Sequence, residues 1–320
     1  MRAFCVEKLA FMNIPEILSN PTKLRALTSL DKAEFDWLCQ AFEPVWYRYN
    51  AQFTLEGKVR IKPLLKPRKN ESLPKIEDKV FFVLYYLKTN SLQVVTGESF
   101  GISQAKVSLW FKCLFQLLNK TLEQANLTPL RDGEELGKLC VHLASKVIVI
   151  DGTERPVERP VDPEAQKETY SGKKKIHSIK NNLAVNLSGF ILYLSQTVAG
   201  CVHDKTLCDM DPIKLETEII ILQDTGYQGH KPDKATIVQP KKKPRGIELT
   251  KEEKAENQKI SSKRVTVEHL INCAKRLRIV KDKCRISSNL FQDLAMETAC
   301  ALHNLRTLFR GRVTVEIGEL

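Results

Sequence analysis

Two stretches of the chain stay apolar for four residues and then reach an aspartate: "KVIVIDG" (146–152) and "EIIILQDTG" (218–226). Runs of this kind, rich in β-branched residues and without alternation, predict strands buried on both faces at the centre of a helix-covered sheet. Two more strands are readable at "KIHSIKNNLAVN" and "FILYLSQTVAG", joined through Ser188 and Gly189, a pair suited to a hairpin turn. "HDKTLCDMD" predicts a short helix before the last strand. Two long helical patterns, "KEEKAENQKISSKRVTVEHLINCAKRLRI" and "NLFQDLAMETACALHNLRTLF", close an α/β domain over 140–312, with 313–320 as a tail.

The first part of the chain carries a different period. Residues 1–70 read as helical pieces ending in a basic, proline-containing linker. Over 71–126, three apolar helices follow one another: "IEDKVFFVLYYLKTN", a short "SLQVVTGESF", and "GISQAKVSLWFKCLFQLLNKTL". Gly101 suits the tight turn between the last two, and Ser103 suits the helix N-cap. Ile102, Val107 and Phe111 then point inward, leaving Gln104, Lys106 and Ser108 on the exposed start of the third helix. That layout is a helix-turn-helix presenting those three residues to the major groove, or an ordinary three-helix bundle with one polar face. Residues 127–139 read as a linker.

Charge favours the first reading. The 320 residues carry a net charge of +12, concentrated in "SGKKKIHSIK", "PKKKPR" and "AKRLR", which points to a polyanionic partner. Nine cysteines include no C-x-x-C pair, so neither a disulfide framework nor a zinc site is expected; Cys201, His203 and Cys208 lack the usual ligand spacing. No apolar run approaches the roughly 20 residues of a membrane span, and the start lacks the core of an export signal. The expectation is a cytoplasmic protein without membrane contact.

Asp151 and Asp224 therefore carry the question of chemistry. Ligands of such sheets gather beyond the carboxyl ends of the strands, although one aspartate there also serves as a turn or cap residue. A third carboxylate lies in "RVTVEHLINCAK": with Arg264 at zero on a helical wheel, Glu268 falls at about 40° and Lys275 at about 20°, beside the apolar stripe. The alternative is a solvated Arg264–Glu268 pair. Three converging carboxylates need cations. Hard oxygen donors suit Mg²⁺, with Mn²⁺ as a substitute, and two such ions form the clamp used for in-line displacement at phosphodiesters. "DTG" at Asp224 also occurs in aspartic proteases, but the other strand end reads "DGT" and the surroundings are basic.

At these residues the chain resembles the DDE transposases of bacterial insertion sequences, in their Harbinger-like group. "DGTERPVERP" is similar to the family's first-aspartate motif, "YSGKKKIHSIK" to the basic segment after it, and "LQDTGYQG" to the second-aspartate motif. "RVTVEHLINCAK" matches the R-x3-E-x6-K signature, although Ser261 stands where related signatures have a tyrosine. The resemblance spans about residues 75–310. It implies an N-terminal all-α helix-turn-helix domain and an α/β catalytic domain of ribonuclease H type, with Asp151, Asp224 and Glu268 as catalytic metal ligands. It further implies DNA contacts by Lys173, Lys174, Lys175, His177, Lys180, Arg264 and Lys275. The expected partners are the element's terminal inverted repeats and target DNA, bound by a homodimer or higher oligomer at the bacterial nucleoid. The expected activity is metal-dependent cleavage and strand transfer; a domesticated DNA-binding protein and an endonuclease without strand transfer are the alternatives.

Overall fold

The computed structural model of the chain describes residues 11–64, 71–242, 248–286 and 288–311; the side chains of 262–271 lie outside that description. Two compact units result, meeting in sequence at Ala125 and Asn126.

The first unit is helical: α1 (Ile14–Ser19), α2 (Pro21–Thr28), α3 (Lys32–Gln52), α4 (Ile76–Thr89), α5 (Gln93–Phe100) and α6 (Gln104–Gln124). Every residue from Lys79 to Leu87 of α4 is buried, so this helix is apolar all round and must be surrounded. Helices α2, α3 and α6 pack against it, and Phe100 of α5 meets Phe81, Phe82 and Tyr85. Residues before Ile76 thus share one core with the three helices after it; Trp46 of α3 stacks on Trp110 of α6 at 5.7 Å. The α5–α6 turn has the expected form. Gly101 sits at φ +66°, and Ser103 Oγ accepts from the Lys106 amide at 3.4 Å. Gln104 and Lys106 are exposed, whereas Ser108 is half-buried.

The second unit is a mixed sheet with helices on both faces. Its strands are β1 (Val147–Pro156), β2 (Tyr170–Ser171), β3 (Ile176–Asn186), β4 (Ile191–Leu194), β5 (Val198–Ala199), β6 (Ile219–Leu222) and β7 (Ala235–Val238). The order is β2-β3-β1-β6-β7, and the outer edge of β3 is also shared by β5 and β4. Strand β1 runs antiparallel to β3 and parallel to β6, and β6 is parallel to β7. The helices are α7 (Gly133–Val141), α8 (Pro163–Thr169), α9 (Asp204–Met210), α10 (Lys251–Ala274) and α12 (Asn289–Arg310), with the short α11 (Arg278–Lys281) divided between the units, its first two residues counting with the first.

Side chains alternate across the strands. Ile148 and Ile150, Ala184, and Ile219 and Ile221 form one face, covered by Leu136 and Cys140 of α7 and Cys208 of α9. Helix α10 packs on β1 and on α12, and α12 packs on β4. Asn304 fixes α12 to the sheet: its Oδ1 accepts from the Ile191 amide, and its Nδ2 donates to the Ile191 and Leu127 carbonyls.

Two sequence expectations change here. The stretch read as a linker, 127–139, holds the start of α7. Asp132 caps that helix through the amides of Glu134 and Glu135, and Leu136 is fully buried. And β1 does not end at Ile150: it continues through Asp151 to Pro156, paired with β3. Only its parallel pairing with β6 stops, at Val149.

Buried His303 on α12 gives a pH-dependent term. Its Nε2 donates to the Gly189 carbonyl at 2.8 Å, and its Nδ1 meets no partner among the described residues. Burial pushes the group down from 6.5 to about 4, and Arg306, Arg276 and Arg310 add to the effect against the Gly189 bond. The unfolded chain then takes up this proton first. Stability should be unaffected above about pH 6.5 and fall as pH drops toward about 4, by about 3 kcal/mol in all. Urea midpoints measured at pH 7 and pH 4.5 should converge in His303→Gln; an unchanged gap would assign the acid loss to other groups.

Candidate active site

Asp151 and Asp224 are set level by the register of the two parallel strands. The last parallel pair is Val149–Leu222, and each aspartate stands two residues beyond it, on strands roughly 4.8 Å apart. Both are half-buried. Each carboxylate is oriented by the next residue: Gly152 N–H donates to Asp151 Oδ1 at 3.0 Å, and Thr225 N–H to Asp224 Oδ1 at 2.6 Å.

The turn after Asp224 is fixed from below. Gln223 is fully buried, and its Nε2 donates to the carbonyls of Tyr227 and His230 while its Oε1 meets His230 Nδ1 at 2.9 Å. A short 3₁₀ turn, Thr225–Tyr227, follows, with Tyr227 buried and its hydroxyl donating to Asn182 Oδ1 at 2.9 Å. Burial first, then the negative charges of Asp204, Asp151 and Asp224, raises the Tyr227 phenol well above its ordinary value. It acts as a neutral donor.

The two aspartates open into one cleft of about 340 Å³, lined also by Gly152, Thr153, Glu154, Lys173, Lys174, Lys180, Asp204, Asn272 and Lys275. Lys173, Lys174 and Lys175 are exposed in the turn between β2 and β3, and the first two reach the cleft. Lys275 is half-buried and donates to the Glu154 carbonyl at 2.9 Å. Burial pushes it down to about 8, helped by Arg155 and Lys174 and opposed by Asp151 and Glu154.

Lys180 departs from its expected part. It is only 7% exposed, and its Nζ is occupied by the Val202 carbonyl at 2.9 Å and Asp204 at 3.0 Å, with Glu154 at 3.6 Å. It is an internal cation and not a free phosphate contact. His177 lies off the cleft lining, its Nδ1 3.0 Å from Thr169 Oγ1. Lys175 is also absent from the lining. The side chains of Arg264 and Glu268 lie outside the described residues, though α10 runs through both positions.

Asp204 and Glu154 were not picked out by sequence reasoning. "HDKT" carried a signal, an acid between the His203 and Cys208 considered as metal ligands, but it read as a helix start. Cys201, His203 and Cys208 do not assemble: Cys201 is exposed, while Cys208 is buried and accepts from Asn182 Nδ2. Among the described residues no three His, Cys, Asp or Glu side chains are arranged to hold a metal ion, and no helix is long and apolar enough to cross a membrane.

Residues 150–304 match the family described as DDE superfamily endonuclease, and residues 71–124 match the helix-turn-helix of DDE superfamily endonuclease. The chain belongs to the DDE superfamily of endonucleases and is an enzyme of the DDE transposase type. Among its relatives is the "Probable transposase for insertion sequence element IS702" of Microchaete diplosiphon. That protein is 28% identical over 222 residues, covering 69% of this chain and 78% of the relative. No solved structure matches significantly. Endonucleases of this superfamily are generally dependent on a divalent metal, and a helix-turn-helix beside an endonuclease domain indicates DNA as the partner.

Proposed function

We propose that the protein binds the terminal inverted repeats of its own mobile element and catalyses their cleavage and transfer to target DNA. The observation that carries this reading is the matched position of Asp151 and Asp224 just beyond the last parallel pair of β1 and β6, in a cleft rimmed by Lys173, Lys174 and Lys275. A mixed sheet covered on both faces is compatible with a catalytic domain of ribonuclease H type over 140–312, preceded by a recognition domain over 71–126.

The donor set fits Mg²⁺ or Mn²⁺: two half-exposed carboxylates supply hard oxygens in small number, leaving room for water and phosphate. Asp151 and Asp224 would hold the ions, and Glu268 is the third carboxylate of the proposal. Asn272 and Lys275 of the cleft lining come four and seven residues after position 268, offsets that share one side of a helix. Bound ions would activate the attacking oxygen and take up charge on the leaving one. The chain's own residues do the rest. The amides of Gly152 and Thr225 hold the carboxylates, Lys173 and Lys174 neutralise phosphates at the rim, and Lys275 and Arg264 position the strand to be cut. Assembly as a homodimer or higher oligomer on DNA, in the bacterial cytoplasm, completes the reading.

Recognition and chemistry should separate in experiment. Gln104→Ala and Lys106→Ala are each expected to weaken binding to the element ends by about 1–3 kcal/mol while cutting at saturating DNA persists. Neutralising Lys173, Lys174 and Lys175 together should weaken binding to every sequence and flatten the salt dependence by about one unit of slope per lost phosphate contact. Mobility-shift titrations over a salt series report both. End affinity untouched by the α6 changes would remove α6 as the reading helix, and an unchanged slope would remove the lysine turn.

A further inference from the structure

Asp204, the first residue of α9, reaches back over the carboxyl edge of the sheet. A Cβ on Gly152 would come within 3.2 Å of its Oδ1, and a Cβ on Gly226 within 2.8 Å of its Oδ2. Gly152 follows Asp151 directly, and Gly226 stands two residues after Asp224. One carboxylate is therefore seated against backbone on both segments that carry the candidate metal ligands.

It is held there from two directions. Lys180 Nζ meets Asp204 Oδ1 at 3.0 Å and is itself fixed by the Val202 carbonyl. The Asp204 carbonyl accepts from Asn182 Nδ2 at 3.2 Å, and Asn182 Oδ1 accepts from the Tyr227 hydroxyl at 2.9 Å. Tyr227 ends the short turn that opens just after Asp224. The β1–β3 register places Lys180 opposite Glu154 and Asn182 opposite Gly152, so the whole set stands on one face of the sheet.

From this arrangement we infer that Asp204, neutralised by Lys180, is a positioning residue that sets the separation of Asp151 and Asp224 and is itself kept off the metal. The inference rests on the reading of Asp151 and Asp224 as the metal ligands. The two glycines give the carboxylate its seat, and Lys180 gives it a counter-charge. Without that lysine, Asp204 and Glu154 would form a second acidic pair in the same cleft, competing for a divalent ion.

The test uses the full-length protein, Mn²⁺ alone as the probe, and three variants: Asp204→Asn, Gly226→Ala and Lys180→Met. Mn²⁺ binding is followed by calorimetry, and cleavage of a labelled duplex bearing the element's ends is resolved into kcat and KM. Asp204→Asn and Gly226→Ala are expected to raise the Mn²⁺ midpoint by about 10–100-fold, as loss of groups that orient ligands commonly does. The kcat value should fall with it and recover partly at high Mn²⁺, while KM for DNA stays within about twofold. Lys180→Met should move the midpoint the other way, tightening Mn²⁺ binding while kcat falls. Wild-type midpoints in Asp204→Asn and Gly226→Ala would overturn the inference, as would a kcat loss that follows only a lowered thermal midpoint. Asp151→Asn, run in parallel, separates the two levels: if it keeps wild-type Mn²⁺ binding, the ligand reading itself fails, whatever Asp204 does.

Discussion

Asp151→Asn and Asp224→Asn are each expected to lower cleavage of end DNA by about 1000-fold or more, equivalent to about 4 kcal/mol of transition-state stabilisation. Both changes keep the size of the side chain and the oxygen that accepts from Gly152 or Thr225. What they remove is the negative charge, so the fold and the affinity for the ends should stay near wild type. Glu268→Gln should behave alike. Combining any two should add little, because groups that act as a unit fail together. Arg264→Ala and Lys275→Ala should cause partial losses, since they would hold phosphate and not metal. Quenched-flow cleavage of prebound, end-labelled DNA separates these effects from binding. Glu268→Gln at the wild-type rate would remove that residue from the mechanism and leave the two aspartates standing.

The second large effect concerns stability. Arg155→Met, which keeps apolar volume, is expected to destabilise the sheet unit by about 3–5 kcal/mol. Arg155 stands on β1 four residues after Asp151 and is 4% exposed. Its guanidinium donates to the Gln292 carbonyl at 2.6 Å, Asn181 Oδ1 at 2.7 Å and Thr197 Oγ1 at 3.2 Å. Burial pushes it down to about 10, against the pull of nearby Asp293. Removing the cation takes a donor from two buried acceptors, the Gln292 carbonyl and Asn181 Oδ1, and from half-buried Thr197 Oγ1. The same bonds tie β1 and β3 to the first turn of α12, so cleavage should suffer through geometry as well. Urea unfolding followed by tryptophan-independent far-UV dichroism measures the loss; a change below about 1 kcal/mol would mean that the acceptors find other partners.

Much of this site could be read in the chain because its signals are local. Continuous β-branched runs mark β1 and β6, and an aspartate placed just past each run marks the edge of their pairing. The helix-turn-helix was equally readable, since Gly101 and Ser103 carry turn and cap chemistry that needs no tertiary context. What stayed hidden depends on pairing and face. Nothing local distinguishes a strand that stops at Asp151 from one that continues against β3. Lys180 reads as part of the basic run before it, yet β3 is buried on both faces from Ser178 to Val185, Lys180 included. Gly133 and Gly137 made α7 look like linker. They are small because the segment 211–215 crosses there: a Cβ on Gly137 would meet the Lys214 carbonyl oxygen at 2.0 Å. Asp204 acquires its place only when α9 folds over the sheet.

The proposed chemistry turns on one divalent ion shared by Asp151 and Asp224 where the pairing of β1 with β6 ends. Crystals of the full-length protein soaked in Mn²⁺, with data collected at the manganese edge, test it most directly. The expected result is an anomalous peak within about 2.0–2.4 Å of a carboxylate oxygen of both Asp151 and Asp224. A peak on Asp204 and Glu154 instead, or none at an Mn²⁺ concentration that supports cleavage, would contradict it.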